Sequence, residues 1–123
     1  MLVEVDNVRQ IKNDGFRRWF RSINMDLYVW YPQQNEKDIL GFQLCYKLGN
    51  EEKALTWKKE LGFIHNTVDD GEVPGSIKET PILVQDGVFY PKKTLDDFLS
   101  QAKEMDVEVK NFVQEKIITL LGN

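Results

Sequence analysis

A chain of 123 residues, 41% hydrophobic and 29% charged, has the size and balance of one globular unit that can bury a core without disulfides or metals. Its net charge of -4 and pI near 5.0 argue against a nucleic-acid surface, because such binding rests largely on clustered Lys and Arg that release counterions from phosphates. The single cysteine, Cys45, excludes an intrachain disulfide and the multi-cysteine zinc and iron–sulfur motifs, no apolar run approaches the roughly 18 residues of a membrane span, and the start "MLVEVDNVRQ" lacks the pattern of a signal peptide. The expectation is a soluble cytoplasmic protein.

In chain order, "LVEV" near the start reads as a short strand, and "NDG" as a turn before "FRRWFRS", Phe16 to Ser22. Phe16, Trp19, Phe20 and Ile23 fit a helical stripe, yet a strand leaving Asp14-Gly15 accounts for the stretch equally well. Its shortness and its strand-like neighbours favour the strand. "MDLYVWYP" (Met25 to Pro32), "ILGFQLCYKLG" (Ile39 to Gly49) and "KALTWKK" (Lys53 to Lys59) are alternating runs separated by "QQNEKD" and "GNEE", the pattern of an antiparallel meander. A loop of Gly49 to Glu52 would set Tyr46 opposite Leu55 and Leu44 opposite Trp57. Period 2 then gathers Leu27, Val29 and Phe42 with them on one face, the expected core. The second face carries Asp26, Tyr28, Trp30, Gln43, Cys45, Thr56 and Lys58.

Beyond Lys59, "GFIHNTV" reads as another strand with His65 and Thr67 on one face, "DDGEVPGSIKE" as turn-rich, "TPILV" as a short strand and "QDG" as its turn. The remainder has helical period. Thr94 is expected to cap a helix through Ala102 with an apolar stripe of Leu95, Phe98, Leu99 and Ala102. Asp106 is expected to cap a second helix, in which Val109, Phe112, Val113, Ile117, Leu120 and Leu121 recur until Gly122 ends it. Strands first and helices last predict one α+β domain over 1–123, an antiparallel meander sheet in about 1–90 with two C-terminal helices from about 91 packed on it. The broad stripe of the last helix must be buried against something, which favours a helix over the Tyr28/Trp30 face.

The combination "RRWF", "DLYVW", "GFQLCY", "ALTW", "VDDGE" and "TPIL" resembles a small bacterial family of conserved proteins of uncharacterised function. The likeness runs from about Val8 to the last helix. It implies a self-contained domain and brings no catalytic residues with it.

Three stretches bear on chemistry. His65 with Asp69, Asp70 and Glu72 offers imidazole and carboxylate ligands, but without a second histidine a strand end and solvated acidic turn is the better reading, and no metal or cofactor is expected. The missing nucleophile motifs make covalent catalysis a weak reading, and Cys45 amid a strand reads as an inert thiol. Arg17, Arg18 and Arg21 interleave with aromatics and can hold an anion, while the plainer reading buries Trp19 and a phenylalanine and pairs the arginines with acids. Tyr28, Trp30, Gln43 and Lys58 have the composition of a partner or small-ligand surface. The sequence therefore points first to a non-catalytic binding or assembly module for a protein partner or small anionic ligand, with homo-oligomerisation as one form of it. The alternative is a small hydrolase, metal-assisted or not, centred on His65 and the nearby carboxylates.

Overall fold

A computed structural model describes residues 1–34, 37–68, 78–81 and 89–121. Seven strands, β1 (Val3–Glu4), β2 (Phe16–Arg21), β3 (Met25–Tyr31), β4 (Gly41–Leu48), β5 (Glu51–Lys58), β6 (Gly62–Val68) and β7 (Lys78–Pro81), form one sheet in sequence order, every neighbour antiparallel. Two helices follow, α1 (Pro91–Gln101) and α2 (Val107–Ile118). The expected α+β meander with C-terminal helices is the observed architecture, and the ambiguous "FRRWFR" is a strand.

Alternation explains the layering. Along β3, Met25, Leu27, Val29 and Tyr31 are buried while Asp26, Tyr28 and Trp30 are half-buried. Cross-strand pairing carries that parity through Leu27↔Leu44↔Leu55 and Val29↔Phe42↔Trp57, and these residues share one hydrophobic cluster with Leu95, Phe98, Ala102, Val109, Val113 and Ile117 of the helical part. Leu2 joins the same cluster, its N–H donating to the carbonyl of Gln101 at 2.7 Å, so the first strand is tied to the end of α1.

The β4–β5 register differs from expectation by two residues. Phe42 faces Trp57, Leu44 faces Leu55 and Tyr46 faces Lys53, with Leu48↔Glu51 closing the hairpin. The turn is therefore Gly49-Asn50 alone; Gly49 at φ +63° supplies the positive φ that a two-residue hairpin requires at its first central position. Because the slip is an even number, every side chain stays on its expected face. Gly15 is needed for a different reason: besides φ +72°, a Cβ there would lie 2.3 Å from the carbonyl oxygen of Tyr31.

Both helices depart from their expected bounds. α1 opens at Pro91, whose fixed φ and missing N–H suit a first helical position, so Thr94 lies inside the helix and is buried instead of capping it. α2 is capped by Asp106 as expected, with Oδ1 accepting from the N–H groups of Glu108 at 2.8 Å and Val109 at 3.3 Å. It stops at Ile118, where Thr119 and Leu120 turn back onto the Lys116 and Ile117 carbonyls; Gly122 lies outside the described residues. β7 spans Lys78–Pro81, earlier than "TPILV", and "QDG" also falls outside the described residues.

Gln10 completes the edge of β2 beyond the reach of β1. Its side-chain amide donates to the carbonyl of Arg17 and accepts from the N–H of Arg17, both at 2.8 Å, as a neighbouring peptide group would.

Trp57 tests the corrected register. It stacks on Phe42 at 6.1 Å between centroids, meets Phe112 edge-on at 5.2 Å, and lies under Lys116 Nζ at 4.6 Å. Trp57→Ala should cost about 3 kcal/mol in chemical denaturation. A loss below about 1 kcal/mol would mean that this contact between β5 and α2 does not form.

Candidate functional site

The expectation that a helix covers the Tyr28/Trp30 face is not met. Leu27, Val29, Phe42, Leu44 and Leu55 on the opposite face absorb the apolar stripes of α1 and α2, and among the described residues no helix residue joins Tyr28 or Trp30 in a hydrophobic cluster. The second face is graded in exposure: Trp19, Tyr28, Trp30, Gln43, Thr56 and Ile64 are half-buried, whereas Ala54 and Asn66 are buried.

Strand parity divides the arginine cluster. Arg17 and Arg21 lie with Trp19 on this second face, while Arg18 points to the helix side between Phe16 and Phe20. There Arg18 grips Glu4 through Nε at 2.8 Å and Nη2 at 2.7 Å, reaches Asp106 at 3.3 Å, and donates from Nη1 to the Tyr31 hydroxyl at 3.1 Å. The Glu4 bond foremost, against the opposing cost of burial, raises the pKa of Arg18, so it is a fixed cation that ties β1, β3 and α2 together. Burial alone would raise the Asp106 carboxyl; the Val109 and Glu108 N–H groups and Arg18 bring it below its ordinary value of 3.8.

On the second face Trp19 and Tyr28 stack at 5.6 Å and 12°, and Tyr28 and Trp30 at 6.4 Å and 26°. Arg21 lies over Trp19 at 5.4 Å and Arg17 over Tyr28 at 5.6 Å. These rings spend their faces on one another and on guanidinium groups, which leaves little flat area for a nucleic-acid base. Desolvation, with Asp26 and Cys45 adding, raises the Tyr28 pKa, so its hydroxyl stays protonated. Asp26 accepts from Trp19 Nε1 at 2.9 Å and lies 3.8 Å from Arg21 Nε, so positive charge at that end is already balanced.

At the other end two lysines, Lys58 and Lys59, meet two carboxylates, Asp14 and Glu60, and Arg17 beside Trp30 adds one positive charge. Cross-strand pairing runs Arg17↔Trp30↔Gly41↔Lys58; Gly41 allows a close approach, since a Cβ there would lie 2.7 Å from the Trp57 carbonyl oxygen and 3.5 Å from Lys58 Cγ, and a slot lies at this end of the row beside Trp30. Trp30, Leu40, Lys58, Lys59 and Leu61 line this cleft of about 370 Å³ with Asp14 and Glu60. Leu40 and Leu61 are exposed apolar side chains there. Arg17 donates from Nη2 to the Arg9 carbonyl at 2.7 Å, but its Nε is buried with no hydrogen-bond partner among the described residues. Gln43 lies between Tyr28 and Thr56, in the row of residues beside the slot.

His65 occupies the helix-covered side. It is 1% exposed, its Nε2 is 2.6 Å from the Tyr46 hydroxyl, and its ring centroid is 4.5 Å from that of Phe89. Burial foremost pushes the Tyr46 phenol up to about 12, so it remains a hydroxyl. Thr67 shares the face, as expected, and accepts from Lys53 Nζ at 2.8 Å; Lys53 is itself 2% exposed and reaches the exposed Glu51 at 3.6 Å. Asp69, Asp70 and Glu72 lie outside the described residues, and among the described residues no group of three or more His, Cys, Asp or Glu side chains could hold a metal ion.

Sequence reasoning left two groups out of the candidate site. Trp19 was legible by parity, since "FRRWFR" as a strand puts it with Arg17 and Arg21. Lys53 was legible too, sharing the parity of Leu55 and Trp57 in "KALTWKK". No family model, curated protein or solved structure matches the chain. Among the described residues, no helix is long and apolar enough to cross a membrane.

Two outcomes check this electrostatic picture. The folded Asp106 carboxyl lies below its unfolded value, so its stabilisation is present above that value and is lost as pH falls through the folded one. Asn still caps a helix. In thermal melts the advantage of wild type over Asp106→Asn should hold at about pH 5 and shrink below about pH 4; a difference that stays constant with pH would contradict the pairing. Burial foremost, with Glu52 and Asp26 adding, pushes the Cys45 thiol up to about 12. Cys45 should therefore react with thiol reagents at neutral pH far more slowly in the native protein than in denaturant, and equal rates would contradict its placement.

Proposed function

We propose that the protein is a non-catalytic binding module whose helix-free sheet face accepts an acidic protein segment, a carboxylate meeting Lys58 or Arg17 and an apolar side chain entering the slot beside Trp30. The observation that carries this reading is the slot beside Trp30, where an aromatic, two exposed leucines, two lysines and two carboxylates adjoin on the face that neither helix covers, with Arg17 paired to Trp30. Arg17 adds a guanidinium charge beside Trp30 whose buried Nε has no acceptor among the described residues. Arg21 and Tyr28 support the face by stacking, and Gln43 offers an amide to a bound backbone. Arg18 contributes to the framework rather than to the partner surface, because its guanidinium is already engaged by Glu4, Asp106 and Tyr31.

The hydrolase alternative draws little support from His65, whose imidazole is buried and whose Nε2 is engaged by Tyr46. A cytoplasmic setting accords with a lone thiol whose pKa is pushed up.

Backbone-amide NMR with a synthetic peptide of glutamates flanking a leucine–phenylalanine pair tests the reading, with the lysine-flanked peptide as control. Shifts should gather at Arg17, Trp30, Gly41 and Lys58, and Lys58→Glu should weaken binding by about tenfold. Raising the salt to about 0.5 M should weaken it too, since the charges are near the surface. Equal binding of the lysine peptide, or shifts confined to the helix side, would sink the proposal. A dimer in sedimentation that Trp30→Ala dissociates would make a second copy of this chain the occupant instead.

A further inference from the structure

On the opposite side of the sheet, where the Phe16↔Tyr31 pair meets the start of α2, lies a cleft of about 800 Å³. That is within the size range of small-molecule sites, roughly 300–1,000 Å³. Its apolar lining comes from two elements and the segment before β4: Phe16 of β2, Ile39, and Val109 and Phe112 of α2. Phe16, Ile39 and Phe112 are only partly buried although they pack on the core, so each keeps apolar surface that a guest could cover.

Gln34, Lys37 and Glu108 line the cleft from exposed positions, and the rest of its polar wall is almost fully committed to itself. Both Glu4 oxygens accept from Arg18, Asp106 Oδ1 caps α2, and Asp106 Oδ2 accepts from Arg18. One group remains half-used. The Tyr31 hydroxyl accepts from Arg18 Nη1 at 3.1 Å, but its own proton has no acceptor among the described residues, although Tyr31 is 94% buried (6% exposed) and lines the cleft. A phenol can donate as well as accept, and a buried donor left without a partner is costly.

Charge narrows what could supply that acceptor. Three carboxylates, Glu4, Asp106 and Glu108, line the cleft with two cations, Arg18 and Lys37, a balance of one negative charge that opposes an anionic guest. A cationic guest would need an uncommitted carboxylate beside the apolar wall; Glu4 and Asp106 are engaged by Arg18 and the α2 cap, and Glu108 is exposed, where solvent screens its charge. We propose that this cleft is a binding site for an uncharged, largely apolar small molecule bearing one carbonyl-type oxygen, which accepts the Tyr31 proton while its apolar body covers Phe16, Ile39 and Phe112. The site is independent of the sheet-face reading, because it is built on the other side of the sheet.

The test uses matched probes on the whole chain: 4-phenylbutan-2-one, 4-phenylbutylamine and 4-phenylbutyrate, each titrated at millimolar concentration and followed by amide NMR. The ketone should move the amides of Arg18, Tyr31, Val109 and Phe112 and bind more tightly than either charged probe. Tyr31→Phe keeps the ring and removes the donor; with its spectrum otherwise unchanged, it should bind the ketone about fivefold more weakly. Glu108→Lys, on an exposed position of the lining, reverses the charge balance and should improve binding of the butyrate. No shifts around the cleft with any probe, tightest binding of butyrate to the wild type, or ketone affinity unchanged in Tyr31→Phe would each overturn the proposal.

Discussion

The contact between Phe42 and Phe112 orients the molecule. Phe42 is fully buried at the middle of the sheet, and its ring meets Phe112 at 6.4 Å and 90°, Phe63 at 6.2 Å and 75°, and Trp57 in a stack. Phe112 belongs to α2, so this cluster sets the helix against β4, β5 and β6. Aromatic pairs prefer such edge-on and offset arrangements, and burying rings of this size supplies much of the apolar area available to a domain of this length. Once α2 is seated there, its remaining stripe of Val109, Val113 and Ile117 falls into the same core, and α1 joins it through Leu95 and Phe98. Neither stripe has an apolar face left for the other side of the sheet.

One-sided burial then determines which chemistry faces solvent. In β2, period 2 sends Arg18 to the helices and Arg17, Trp19 and Arg21 to the open side. The helix-side arginine becomes a strut because Glu4, Tyr31 and Asp106 converge on it. The open-side pair lies against aromatic rings instead. A single six-residue strand thus contributes to both the helix-side framework and the aromatic second face, and the two contributions are separated only by alternation.

Much of this was legible in the residues and some was not. The meander and its faces could be read because Met25–Tyr31 and Gly41–Leu48 alternate cleanly, and an error of two in register leaves parity intact. The true pairing depended on Gly49 adopting a left-handed φ, which turned "GNEE" from a four-residue loop into a two-residue turn and moved both glutamates into β5. Helix ends went astray for local reasons: Thr94 looks like a cap, but Pro91 starts the helix earlier, and Gly122 looks like a stop, but Thr119 turns the chain first. Which face the helices choose was beyond local pattern, because Tyr28 and Trp30 are as suited to burial by size as Phe42 and Trp57. The placing of Trp30 near Lys58 was beyond it too, since the two meet across Gly41 only in the correct register.

α1 and α2 pack on one face of the sheet, and neither covers the aromatic face. Solvent paramagnetic relaxation, with a neutral gadolinium chelate added to methyl- and aromatic-labelled protein, measures that directly. The signals of Trp30, Tyr28 and Ile64 should broaden strongly while those of Phe42, Leu44 and Leu55 remain sharp. Protection of Trp30, Tyr28 and Ile64 comparable to that of the core residues in the monomer would contradict it.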